Sequence, residues 1–136
     1  MKRVIFLSSL MIVLSSSFSS NAQTQKKEVQ SSTPNKIEAY YFHNAARCVT
    51  CKTVESETKA DLENLYGTQV TFKALNLEDD ATKPIADKLK VSGQTLLLVK
   101  GDQKINITNE GFMYARTNPA KFKKIIKEKV DKLLEL

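Results

Sequence analysis

The chain contains two cysteines, and they stand one helical turn apart as Cys48-Val49-Thr50-Cys51, where one residue pattern gives way to another. Before them, Ile37 to Phe42 (IEAYYF) is a short run of aromatic and β-forming residues bounded by Asn35 and by His43-Asn44. It reads as a strand. After them, Val49 to Tyr66 sets Val54, Leu62, Leu65 and Tyr66 on one side and Glu55, Glu57, Lys59, Asp61 and Glu63 largely elsewhere. That spacing predicts a helix, stopped by Gly67. Cys48 and Cys51 therefore sit on the handover from strand to helix, after a turn of Asn44, Ala45, Ala46 and Arg47.

The remaining segments extend this unit. Val70 to Leu77 alternates Val70, Phe72 and Ala74 against Thr71 and Lys73, a strand pattern, and Thr82 to Lys90 predicts a helix beginning around Pro84, a residue suited to a first turn. Thr95 to Lys100 (TLLLVK) is a continuous apolar strand, and Gly101-Asp102 turns it into Lys104 to Thr108 (KINIT) as a hairpin. Pro119 opens a last helix, where Phe122, Ile125, Ile126, Val130, Leu133 and Leu134 follow the three-four spacing of a face laid on a sheet. The order is βαβαββα: a parallel crossover followed by an antiparallel hairpin closed by a helix. This predicts an α/β fold with a central mixed four-stranded sheet flanked by helices, over residues 36–136.

Residues 1–22 have a different character. Lys2 and Arg3 precede the apolar run Val4 to Leu14 and the small-residue stretch Ser15 to Ala22. This is the pattern of a secretory signal peptide, with Ser20-Asn21-Ala22 as the cleavage signal and Gln23 as the new N-terminus. The apolar run is too short to cross about 30 Å of hydrocarbon, so no membrane span is expected after removal. Residues 23–35 are polar, lack apolar periodicity and read as a flexible leader. The expected location is outside the cytoplasm, in the periplasm. Loss of Lys2 and Arg3 brings the net charge from +6 to +4. The excess lies in Lys121, Lys123, Lys124, Lys127, Lys129 and Lys132, beside the apolar stripe of the last helix and without aromatic interleaving. A solvated helix face accounts for them, and no nucleic-acid partner is expected.

A cysteine at a helix start meets unpaired backbone N–H groups and the positive end of the helix dipole, which favour a thiolate. Cys48 is thus the expected nucleophile, with Arg47 as a possible further positive charge beside it. Cys51, one turn on, is placed to attack a mixed disulfide on Cys48 and release the partner reduced. A disulfide that only staples the turn is the alternative reading, as in an accessory subunit whose fold matters, though closing so short a loop gains less than closing a long one. A soft-metal module stays open beside the redox reading: Cu(I) accepts two thiolates with or without the imidazole of His43, whereas structural zinc wants four ligands and the chain has two Cys and one His. Gly67, Gly93, Gly101 and Gly111 are scattered with no GxGxxG, so no flavin or nicotinamide cofactor is expected.

Two segments carry a resemblance. YYFHNAARCVTCKTVE (Tyr40 to Glu55) and KVSGQTLLLVKGDQKI (Lys90 to Ile105) resemble the thioredoxin superfamily, and the likeness extends over Lys36 to Leu136. Tyr40 to Cys51 is also similar to small exported thioredoxin-like proteins named as a subunit of a nitrophenyl-compound nitroreductase. The resemblance implies a thioredoxin-like sheet, thiol-disulfide exchange with a protein partner through Cys48 and Cys51, and contact with that partner by Gln94 and Thr95. The chain departs from the family in four places. Arg47 replaces an aromatic residue, Val49-Thr50 replaces a Gly-Pro type pair, and Tyr40, Tyr41 and Phe42 offer no buried acid. Gln94 replaces the family's cis-proline, and because a non-proline cis bond costs about 3 kcal/mol its peptide is expected trans. General disulfide reduction is therefore not expected; a specific partner is.

Overall fold

In a computed structural model, the structure describes residues 36–136. The signal peptide expected over 1–22 and the leader expected over 23–35 lie outside the described residues. The strand β1 (Ile37–His43) leads into α1 (Val49–Tyr66), and β2 (Val70–Asn76) and α2 (Lys83–Leu89) complete the first half. The second half comprises β3 (Thr95–Lys100), β4 (Gln103–Asn106), α3 (Thr108–Tyr114) and α4 (Pro119–Leu134). The order is thus βαβαββαα, one helix more than the expected βαβαββα: α3 was not visible as a pattern.

The four strands form one sheet in the order β2-β1-β3-β4. β1 runs parallel to β2, with Tyr41 opposite Ala74, and antiparallel to β3, with Tyr41 opposite Leu96. β3 and β4 form the hairpin, with Leu98 opposite Ile105. A central strand covered on both faces reads as a near-continuous apolar run rather than an alternation, and in β1 Ile37, Ala39, Tyr40, Tyr41 and Phe42 are all buried, with the half-buried Glu38 the one break within the run. Ile37, Ala39, Tyr41, Leu96 and Leu98 pack with Val54 and Leu62 of α1 and with Phe122, Ile126, Val130 and Leu133 of α4. Tyr40, Phe42, Leu97 and Val99 face the other way, onto Ala86, Ile85 and Leu89 of α2.

Local chemistry sets the element ends. Gly67 closes α1 at a φ of +54°, its N–H reaching the Glu63 carbonyl, a left-handed conformation that lacks a steric cost only without a Cβ. Asp61, expected away from the apolar side of α1, is instead buried against α4, where Lys123 Nζ lies 3.4 Å from its Oδ1. Three more lysines of α4 have local partners: Lys121 sits over the Tyr114 ring, Lys127 pairs with Asp131 and Lys129 with Glu128. No helix among the described residues is long and apolar enough to cross a membrane.

Candidate functional site

β1 ends at His43 and α1 begins at Val49, so the turn between them delivers Cys48 to the N-cap position of an 18-residue helix. Its backbone is extended, with φ −73° and ψ 169°, as N-cap residues are, and its sulfur accepts a hydrogen bond from the backbone N–H of Cys51 at 3.4 Å. Cys51 lies in the first turn, on the face of α1 that also buries Val54. The spacing therefore produces asymmetry: Cys48 is exposed, Cys51 is buried at 7% exposure, and their Sγ atoms lie 2.8 Å apart as hydrogen-bonded thiols. Val49, between them, is 66% exposed and adds an apolar side chain to the rim.

Gln94 is brought to the same place from the second half of the chain. It precedes β3, and β3 pairs with β1 so that Thr95 stands opposite Phe42. The Gln94 side-chain amide donates to Tyr41 Oη at 2.7 Å, within the electrostatic surroundings of both thiols. Its peptide bond is trans, as is every peptide bond of the described residues. Thr95, expected beside Gln94, turns its hydroxyl back to the Gly93 carbonyl at 2.9 Å.

The charge balance around the sulfurs differs in part from the sequence expectation. Burial pushes the Cys51 thiol up, but hydrogen bonds from Cys48, from Gln94 and from backbone N–H groups outweigh it, and the net direction is down. Access still distinguishes the two sulfurs, in favour of Cys48. Arg47, a candidate positive charge for the thiol, is paired with the carboxylate of Glu55 in the second turn of α1, an ion pair that braces the preceding turn against the helix. His43, the candidate metal ligand, has Nδ1 at 2.9 Å from the carbonyl of Asn44 and packs its ring near Tyr41. Among the described residues no three His, Cys, Asp or Glu side chains gather into a metal-holding group.

Tyr41 is the site residue that sequence reasoning passed over. It was considered only as a position lacking an acid, yet its fully buried side chain brings a hydroxyl to Gln94, within electrostatic reach of both thiols and of Arg47. Its alternation with Tyr40 was the available signal: two tyrosines in succession on a strand must face opposite ways, and one of them faces α1.

A mixed sheet ordered β2-β1-β3-β4, with only β3 antiparallel to the β1–β2 pair and β4 antiparallel to β3, carries a dithiol where its central strand enters α1. The fold is thioredoxin-like. No family model matches the chain, and no curated protein does. Among solved structures, this thioredoxin-like domain is similar to the crystal structure of Trxlp from Edwardsiella tarda EIB202, at 18% identity over 68% of this chain and 82% of that one, with a TM-score of 0.49. It is also similar to a structure described as that of a malarial protein, at 24% identity over 52% of this chain and 75% of that one, with a TM-score of 0.41. A thioredoxin-like fold with two thiols in contact at the head of α1 is compatible with thiol-disulfide exchange.

Proposed function

We propose that this domain, after export, exchanges thiols and disulfides with a specific protein partner, with Cys48 as nucleophile and Cys51 as resolving thiol. The observation that carries the reading is the pairing of an exposed sulfur with a buried one 2.8 Å behind it. An exposed Cys48 can reach the sulfur of another protein, and Cys51 is within one bond-forming movement of the mixed disulfide, since an S–S bond is about 2.05 Å long. A groove of about 400 Å³ beside this end of the sheet, lined in part by Lys90, Val91, Gly93, Gln94, Thr95 and Lys104, supplies a surface for the partner's chain. Export rests on the pattern of residues 1–22, and an exported protein whose mass begins at Gln23 is the corresponding observation.

A narrower role follows from the resemblance of Tyr40 to Cys51 to nitroreductase-subunit proteins. In that role the domain is an accessory subunit whose cysteines form a structural disulfide, and another chain holds the redox cofactor.

The test is a trap. In the native host, Cys51→Ser is expected to accumulate reductant-sensitive mixed disulfides with one or a few proteins, and Cys48→Ser is expected to accumulate none. No adduct from either variant, together with copper retained by the purified wild type, would replace exchange by the soft-metal reading.

A further inference from the structure

We propose that the groove beside Gln94 is a binding site for an acidic, extended segment of the partner protein, with Lys90 and Lys104 holding its carboxylates. The proposal deepens the exchange reading and rests on it: it names the chemistry of the chain that Cys48 meets.

The groove lies between the end of α2, the segment entering β3 and the edge strand β4. Val91 and Leu97 give it an apolar wall, and its charged lining residues are Lys90 and Lys104, with no Asp or Glu among them. Both lysines are exposed. Lys104 Nζ lies 3.4 Å from the Leu89 carbonyl, which draws it from β4 towards α2. Lys90 Nζ has no hydrogen bond or ion pair among the described residues. Asp87, the nearest acid along α2, is exposed but does not line the groove. A Cβ on Gly93 would meet nothing within 4 Å, so the bare backbone there faces open space and a second chain can approach it closely. Gln94 belongs to both places: it lines the groove, and its amide donates to Tyr41 Oη at 2.7 Å. A segment whose cysteine meets Cys48 then runs past Gln94 into the groove.

The backbone points to Lys90 independently. At the end of α2 the Val91 N–H bonds to the Ala86 carbonyl at 2.8 Å and the Lys90 N–H to the Asp87 carbonyl at 3.1 Å. That closure needs a left-handed residue, where glycine is usual because a Cβ crowds the backbone. Here the residue is Lys90, at φ 58° and ψ 45°, and among the described residues it alone has a positive φ without being glycine. The local backbone asks for glycine, and the chain carries lysine. Backbone outliers of this kind cluster at binding and switch sites, where the side chain has a task that outweighs the strain. The side chain kept at this cost ends in an ammonium at the lip of the groove, with no acid of its own. Two ammonium groups without an acid between them attract carboxylates and repel a basic segment, and the apolar wall beside them takes an aliphatic side chain. Exposed ion pairs are individually weak, so the site acts as a preference between acidic and basic sequences rather than through tight binding.

The test uses two fluorescent peptides of one sequence that differ only in carrying glutamates or lysines on either side of a central residue. With serine at the centre, fluorescence anisotropy against the reduced protein reads binding alone. With cysteine at the centre, held in a disulfide to an aromatic chromogenic thiol, the Cys48 thiolate bonds to the peptide sulfur as the chromophore leaves with the electron pair of the old bond. The acidic peptide is expected to bind and react about tenfold better than the basic one at low salt, with the ratio shrinking as salt rises. Lys90→Gln combined with Lys104→Gln is expected to bring the ratio close to one, whereas Lys124→Gln combined with Lys132→Gln, which removes the same charge from α4, leaves it. Lys90→Gly is expected to raise the urea midpoint and lower the acidic preference together; a lysine without a binding task would give the first change without the second. Equal binding of the two serine peptides, or an acidic preference that survives loss of both groove lysines, would overturn the proposal. The serine peptides need no thiol, so acidic binding without reaction would remove the exchange reading alone, and reaction without preference would remove the acidic site alone.

Discussion

A Cβ placed on Gly111 would stand 3.1 Å from Val54 Cγ1 and 3.5 Å from Leu96 Cδ2 and Phe122 Cζ. All three neighbours are fully buried and belong to three different elements, α1, β3 and α4. Glycine in the middle of a helix costs about 1 kcal/mol relative to alanine, and here it is kept because the α3 backbone lies directly against that junction. Val54 is also the next buried residue after Cys51 on α1, so the packing at Gly111 supports the turn that carries the resolving thiol. Gly111→Val is expected to lower the stability of the domain by about 1–3 kcal/mol, through overpacking rather than loss of a contact. A lower urea midpoint with an unchanged slope checks this; an unchanged midpoint would mean that the junction is looser than these distances indicate.

At the scale of elements, α4 is held at both ends and along one side. Asn118 Oδ1 accepts from the Lys121 N–H at 3.1 Å, Pro119 occupies the first helical position where no N–H is missed, and Lys100 Nζ reaches the Leu133 carbonyl at 2.9 Å near the other end. In between, Tyr66 of α1 donates to Asp131 Oδ1 at 2.7 Å and lies near the Lys127 carbonyl. These contacts orient a helix whose apolar face covers the sheet beside the dithiol's own helix. Asn118→Ala removes the cap and is expected to lower stability by about 1 kcal/mol, while Asn118→Ser or Asn118→Asp keeps it. Thermal denaturation of the three variants distinguishes a lost cap from a merely altered surface position.

For the molecule as a whole, Asp61 links pH to stability. Its burial between α1 and α4 raises it above the ordinary carboxyl value of 3.8 against the opposing influence of Lys123, and its Oδ2 accepts no hydrogen bond among the described residues. A raised acid keeps, in the folded state, a proton that the unfolded chain has already released, so its contribution to stability falls as pH rises through the interval just above 3.8. Glu38 acts in the opposite sense: despite its burial, hydrogen bonds from Tyr40 and Lys73 hold it low, and its contribution is lost as pH falls. The difference between wild type and Asp61→Asn isolates the first effect. Urea midpoints measured across that interval are expected to fall with rising pH more steeply for wild type than for the variant, and parallel profiles would remove Asp61 as the cause. Seven of the eight elements among the described residues, their order and the station of Cys48 and Cys51 could be read from residue patterns, because apolar period, turn residues and helix stops are properties of neighbours along the chain. The Tyr41 hydroxyl that meets Gln94 at this site could not. Tyr41 and Gln94 are 53 residues apart and meet only because β3 lies beside β1. The burial of Asp61, the pairing of Arg47 with Glu55 across the turn and the helicity of the segment around Gly111 were likewise settled by which surfaces came together. Local patterns determined where the thiols would stand; the order of strands decided which side chains would act on them.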